Sequence, residues 1–331
     1  MAINLLALEP HKVSRDLSGY ITYIYGAAKV GKTTLGSEMP KPLLIACEKG
    51  YNAIGGIIAQ DITSWADIRA LVRELKKPEV KEKFSTLIID TVDLAASYCE
   101  KYVCSQHDAD SIAQVGSYGQ GWNILKKEFE EPFRTMTQMG YAVMFISHEK
   151  EGTFKRPDGS EYSIIRPSVT TTYNSIIENM VDIYARMYTK IEDGVSKVKL
   201  KLRSNDGSVI CGGRFKHLPE EIDGTYEALV QALNTAIDKE AEEKGSKYVT
   251  NERESAAIKT EYNYDELKED INKTITALTE KHEKADFEEN IAPRITQIVE
   301  RYLGKGKKLS QATRDQVEQL SLISLELKEI E

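Results

Sequence analysis

No apolar run in this 331-residue sequence approaches the roughly 20 residues needed to span a bilayer, which argues against a membrane-spanning helix. The N-terminus, Met1-Ala2-Ile3-Asn4-Leu5-Leu6, lacks a basic flank and a small-residue cleavage site, so export is not expected. Cysteine is scarce. Cys47, Cys99, Cys104 and Cys211 have neither metal-ligand spacing nor the close pairs of a disulfide framework, and a reducing cytoplasm is the expected setting. Positive charge is in deficit: 44 Lys and Arg against 52 Asp and Glu leave a net charge of −8, which argues against wholesale attraction to nucleic acid. A local basic groove stays possible, because the field that matters lies within a Debye length, about 10 Å, of a phosphate backbone.

What is present is the composition of an ordinary globular protein, 41% hydrophobic and 29% charged, long enough for one α/β domain and a smaller second one. From Tyr20 to about Phe215 short apolar runs alternate with amphipathic stretches, the pattern of a mostly parallel sheet with crossover helices. Strands are predicted at 20–25, 42–47, 86–90 and 141–147, their continuous hydrophobicity suiting burial on both faces. Helices are predicted at 32–39, 65–75 (ending near Pro78), 94–102 and 122–139. Residues 149–172, polar and containing Pro157-Asp158-Gly159, read as a long mobile loop or hairpin. Further strands are expected at 180–187 and 195–202, and Asp206-Gly207-Ser208 turns into Val209-Ile210-Cys211. The division expected is a lead-in at 1–19, an α/β core at 20–237, a charged linker at 238–263 and a three-helix bundle at 264–331. In the bundle Leu267, Ile271, Ile275 and Leu278 share one helical face, and Val317, Leu320, Ile323 and Leu327 another.

Gly26-Ala27-Ala28-Lys29-Val30-Gly31-Lys32-Thr33 matches the phosphate-binding loop G-x-x-x-x-G-K-[ST] without departure. Glycines 26 and 31 let main-chain amides wrap a phosphate, Lys32 reaches the β- and γ-oxygens, and the Thr33 hydroxyl coordinates Mg²⁺. Thr34 continues into a helix whose N-terminal dipole faces the anion. Chance yields such a match in roughly 0.01 of chains this long. The expected ligands are therefore ATP and Mg²⁺. The later Gly304-Lys305-Gly306-Lys307-Lys308 has no strand before it and reads as a basic interhelical loop.

Residues at strand ends narrow the class. Asp90 closes Leu87-Ile88-Ile89-Asp90, where a carboxylate holds Mg²⁺; the plainer role is to cap the next helix. Thr91 follows it where an AAA+ ATPase would be expected to carry a catalytic Glu. Glu48 follows the second strand, a position for the base that orients the attacking water. His148 follows the fourth strand and is a candidate γ-phosphate sensor, or merely ends that strand.

These segments, with Tyr118-Gly119 and Gly213-Arg214-Phe215, resemble the RecA/DnaB core. They resemble more closely the compact phage-encoded RecA-like ATPases of single-strand annealing and recombination, over about residues 18–235. The resemblance implies a RecA-like P-loop fold, with a mostly parallel central sheet flanked by helices, followed here by the small all-α region. It also implies ATP hydrolysis, binding of single-stranded DNA, assembly into a homo-oligomeric ring or filament, and a place in the host bacterial cytoplasm. Single-strand-binding protein is a candidate partner for the C-terminal helices. His148 stands where the family more often has Gln.

After His148, the cations Lys150, Lys155, Arg156 and Arg166 alternate with Phe154 and Tyr162, the residue types of a single-strand site; Glu149, Glu151, Asp158 and Glu161 offset them. Lys197, Lys199, Lys201 and Arg203 share one face of a strand and need compensation; Lys201 or Arg203 is a candidate for action in trans on a neighbour's ATP, unless the run simply protects an edge strand. The alternatives are a helicase-loader or motor ATPase, a nucleotide-dependent scaffold with little turnover, and a small-molecule kinase. The kinase would need an Arg-rich lid, which the sequence near the loop does not offer.

Overall fold

A computed structural model describes residues 10–155, 158–252 and 263–330, in two compact units, 10–252 and 263–330. In the first unit the predicted strands appear as β2 (Thr22–Gly26), β3 (Pro42–Ala46), β5 (Thr86–Asp90), β6 (Ala142–Lys155) and β8 (Ile183–Glu192). β1 (Val13–Ser14) precedes them, and β4 (Ala59–Asp61) lies between β3 and β5. The spatial order β8-β2-β6-β5-β3-β4 is parallel throughout. Beyond β8 the sheet turns antiparallel through β9 (Val195–Lys201) and β11 (Glu221–Asp223), with β10 (Gly212–Gly213) also on β8. The chain thus has the mixed α/β architecture expected, a mostly parallel sheet flanked by helices and followed by a helical region.

Period-two alternation explains the two layers. Tyr23, Tyr25, Leu43, Ile45, Leu87, Ile89, Val143 and Phe145 face one core, with residues of α2 (Trp65–Glu74), α4 (Val92–Gln106), α5 (Gln120–Gln138) and α6 (Thr171–Met180). Ile24, Leu44, Ile88, Met144 and Ile146 face the other, under α1 (Lys32–Ser37) and α7 (Tyr226–Lys244). On the first face Phe129 is fully buried between Trp65, at 5.9 Å, and Tyr173, at 4.7 Å.

Several expectations are corrected. Pro78 does not merely end α2: it opens α3 (Pro78–Lys83), a first-turn place where its missing N–H costs nothing. Of the two readings of the segment after His148 the hairpin holds, because β6 runs 14 residues and pairs with β7 (Glu161–Pro167), while α6, which follows it, was not expected. The Asp206 carboxylate accepts from Ser208 N–H and Oγ as a turn, yet Val209 bridges Ile165 in parallel rather than returning along β9. The linker expected from 238 is in part structured: α7 continues to Lys244, and β12 (Val249–Thr250) pairs with β1. Its remainder, 253–262, lies outside the described residues, as does the first part of the expected lead-in, 1–9.

In the second unit α8 (Tyr264–Lys281), α9 (Lys284–Asp286), a π-helical turn (Phe287–Ile291), α10 (Ala292–Leu303) and α11 (Val317–Leu327) follow in order. They bury Ile271, Leu278, Ile298, Leu320, Ile323 and Leu327 together, and Pro293 sits in the first turn of α10. Among the described residues no helix is long and apolar enough to cross a membrane.

Candidate functional site

Register brings the candidate residues together at the carboxyl edge of the parallel strands, where ligands of such sheets bind. Gly26 at the end of β2 is level with His148 of β6 and Met187 of β8. Asp90 at the end of β5 is level with Ala46 of β3 on one side and Ile146 of β6 on the other. Past Ala46 the chain stays tied to β5: Cys47 and Glu48 donate their amides to the Asp90 carbonyl, at 2.7 and 3.3 Å.

The loop between β2 and α1 needs its glycines. A Cβ at Gly26 would lie 2.0 Å from the Met187 carbonyl oxygen, and Gly31 adopts φ +107°, in the left-handed region. Ala27, Ala28 and Lys29 are exposed, Val30 is half-buried, and Thr34 is exposed in the first turn of α1. Gly31 caps α1 without a side chain, so the first-turn amides face outward with no internal partner, a cradle suited to an anion.

Lys32 is buried and its Nζ donates to the carbonyls of Gly26 and Ala27, at 3.0 and 2.8 Å. Burial pushes its pKa below the usual lysine range, while Asp90, Glu48, Glu149 and Asp93 pull the other way. The Thr33 hydroxyl donates to Asp90 Oδ2 at 2.6 Å. Burial raises the Asp90 carboxyl; the Thr33 hydrogen bond opposes this, and the charge of Glu48 adds to it. A cationic lysine in a loop of carbonyls, beside a hydroxyl and a carboxylate, is a donor set that fits a triphosphate with a hard divalent cation. His148 Nε2 stands 3.7 Å from Glu48 Oε2, each side chain a little over one-third exposed. The residues expected to orient water and to sense phosphate therefore face one another.

The basic candidates fare unevenly. Lys150 Nζ donates to the carbonyl of Ser168 at 2.5 Å, at the base of the β6–β7 hairpin. Lys155, exposed farther out, is 4.0 Å from Glu161, and beside it Phe154 meets Tyr162 with ring centroids 5.4 Å apart. Arg166 lies opposite Lys150 and packs over Gly152, while Arg156 lies outside the described residues. The cations of β9 are not a free face, nor is β9 an edge. Lys199 pairs with Glu192 and Asp223, Lys201 pairs with Glu220 at 2.6 Å, and Arg203 donates to the carbonyls of Phe215 and Lys216. Lys201 and Arg203, the candidates for action in trans, are held by this chain's own oxygens.

Two features escaped the residue pattern. Arg186 makes a two-point ion pair with Glu149, its Nε 2.7 Å from Oε2, directly beyond His148. Asp93, three residues after Asp90, reaches across to the hairpin. The spacing of the two aspartates was the one available signal.

Residues 18–210 match the family described as AAA domain. Across the whole chain and 99% of the relative, the sequence is 30% identical to the SPbeta prophage-derived uncharacterized protein YorG of Bacillus subtilis (strain 168), so the shared length includes the C-terminal helices. Among solved structures it is similar to the flagellar accessory protein FlaH of Methanocaldococcus jannaschii, at 11% identity over 64% of this chain and 84% of that one, TM-score 0.33. It is also similar to a KaiC-like protein of Pyrococcus horikoshii OT3, at 12% identity over 59% and 89%, TM-score 0.33.

Proposed function

The chain belongs to the AAA-domain family that its residues 18–210 match, and from that premise we propose that it binds MgATP in the loop 26–33 and hydrolyses it. The observation that carries this reading is the meeting of Lys32, Thr33, Asp90, Glu48 and His148 at one sheet edge. Lys32 would leave its loop carbonyls for phosphate oxygens, which restore the opposite charge that burial denies it. Thr33 and Asp90 would hold Mg²⁺, which when bound neutralises charge developing on the phosphates. Glu48 would accept a proton from water, or orient it, and His148 would donate to the terminal phosphate; both are open enough for water to enter.

The reading extends to a homo-oligomeric protein that acts on single-stranded DNA in annealing or strand pairing. What supports this is the hairpin beyond His148, with the Phe154–Tyr162 pair and exposed Lys155 at its outer part. Steady-state ATP turnover against protein concentration, with and without single-stranded DNA, tests it. Turnover that rises with both supports assembly and DNA. Turnover indifferent to DNA at low and moderate salt removes the DNA part and leaves the ATPase.

A further inference from the structure

α4 begins two residues after Asp90, and its second residue, Asp93, is acidic, which alone would be a common helix-dipole arrangement. The side chain does more than that. Its Oδ1 accepts the Ser168 hydroxyl hydrogen bond, and its Oδ2 faces the His148 N–H at 3.4 Å. Ser168 N–H in turn donates to the His148 carbonyl at 2.8 Å, closing a three-residue ring. His148 and Ser168 flank the first rung of the hairpin, Glu149 opposite Pro167. One carboxylate therefore grips both feet of the hairpin, from a helix turn anchored three residues away in the Asp90 that hydrogen-bonds Thr33.

We propose that Asp93, through Ser168, is the positioning residue that makes the β6–β7 hairpin follow the state of the nucleotide site; this rests on the MgATP reading above. A helix turn does not stretch appreciably, so a shift of Asp90 or of the His148 backbone moves the feet, and the feet carry Glu149–Lys155 and Glu161–Pro167. Neither side chain hydrogen-bonds the phosphate loop, and although the Asp93 charge bears on Lys32, Ser168 does not, so in Ser168 nucleotide affinity and hairpin response separate.

Hydrogen exchange of peptides from 149–155 and 161–167 in the full chain, with and without MgATP, tests this. In the parent protein MgATP changes hairpin exchange by about tenfold or more. Ser168→Ala binds MgATP within about threefold of the parent yet loses that change; Asp93→Ala at saturating MgATP loses it too, and the double variant is no worse than either single one. Ser168→Thr, which keeps the hydroxyl, keeps the response. Should one alanine variant fail to fold by circular dichroism, the other carries the test. A response that survives in Ser168→Ala, or a parent hairpin indifferent to bound MgATP, overturns the proposal and leaves the site reading standing. A parent that does not bind MgATP overturns both.

Discussion

His148 in β6 and Glu48, two residues past the end of β3, are 100 positions apart in the chain, and their side chains end 3.7 Å apart, both near enough for their charges to act on Asp90. That separation is too long for a direct hydrogen bond, and on the proposed reading the carboxylate would serve the water and the imidazole the phosphate. Glu48→Gln is expected to lower ATP turnover by about 10²–10⁴-fold and to leave MgATP affinity within a few-fold. His148→Ala is expected to lower turnover less, and His148→Gln to retain more than His148→Ala, because the amide still donates. Single-turnover hydrolysis beside equilibrium binding checks both; equal losses of affinity and rate in Glu48→Gln would deny it a role in the chemical step.

Asp90 carries a burial cost, which the proposed Mg²⁺ would offset. Its folded-state pKa is raised, so the folded form is favoured while Asp90 is protonated, and that advantage is lost as pH rises through the raised value. Asp90→Asn is therefore expected to be more stable than the nucleotide-free parent near pH 7, by about 1 kcal/mol, and to lose that gain as the solution is acidified into the carboxylate range. The same variant loses the Mg²⁺-dependent part of ATP binding. Urea unfolding at several pH values measures the first effect, and titration with and without Mg²⁺ the second; a variant less stable than the parent at pH 7 would contradict the assignment.

Gly26 permits the close approach of β2 and β8. Gly26→Ala places a methyl 2.0 Å from the Met187 carbonyl oxygen, so the strands must part; a cost of about 1–3 kcal/mol and loss of nucleotide affinity are expected. Gly55→Ala, where a Cβ meets nothing within 4 Å, is the control and should behave as the parent. Thermal unfolding and nucleotide binding of the two variants decide the point.

Much of this site could be read from residues alone because its parts lie at the ends of apolar runs. Ile24-Tyr25-Gly26, Ile45-Ala46-Cys47-Glu48, Ile88-Ile89-Asp90 and Phe145-Ile146-Ser147-His148 each announce a buried strand, and a parallel sheet aligns their ends. What escaped depends on contacts between distant segments. The partners of Lys199 and Lys201 come from the segment 220–223 and from Glu192, which no local pattern of the lysines reveals. Helix α6 was hidden by the β-branched run Val169-Thr170-Thr171-Thr172, of weak helix propensity, and forms because Tyr173, Ile176, Ile177 and Met180 pack on the sheet. β6 outlasts its apolar stretch because pairing with β7, rather than burial, sustains its polar half.

Lys32, now bonded to the carbonyls of Gly26 and Ala27, is expected to turn to a bound triphosphate. Calorimetric titration of the parent and of Lys32→Ala with ATP and Mg²⁺ tests it most directly. Saturable binding by the parent and at least about a tenfold loss in Lys32→Ala are expected. A parent with no adenine-nucleotide affinity, or a Lys32→Ala variant that binds as the parent does, would contradict it.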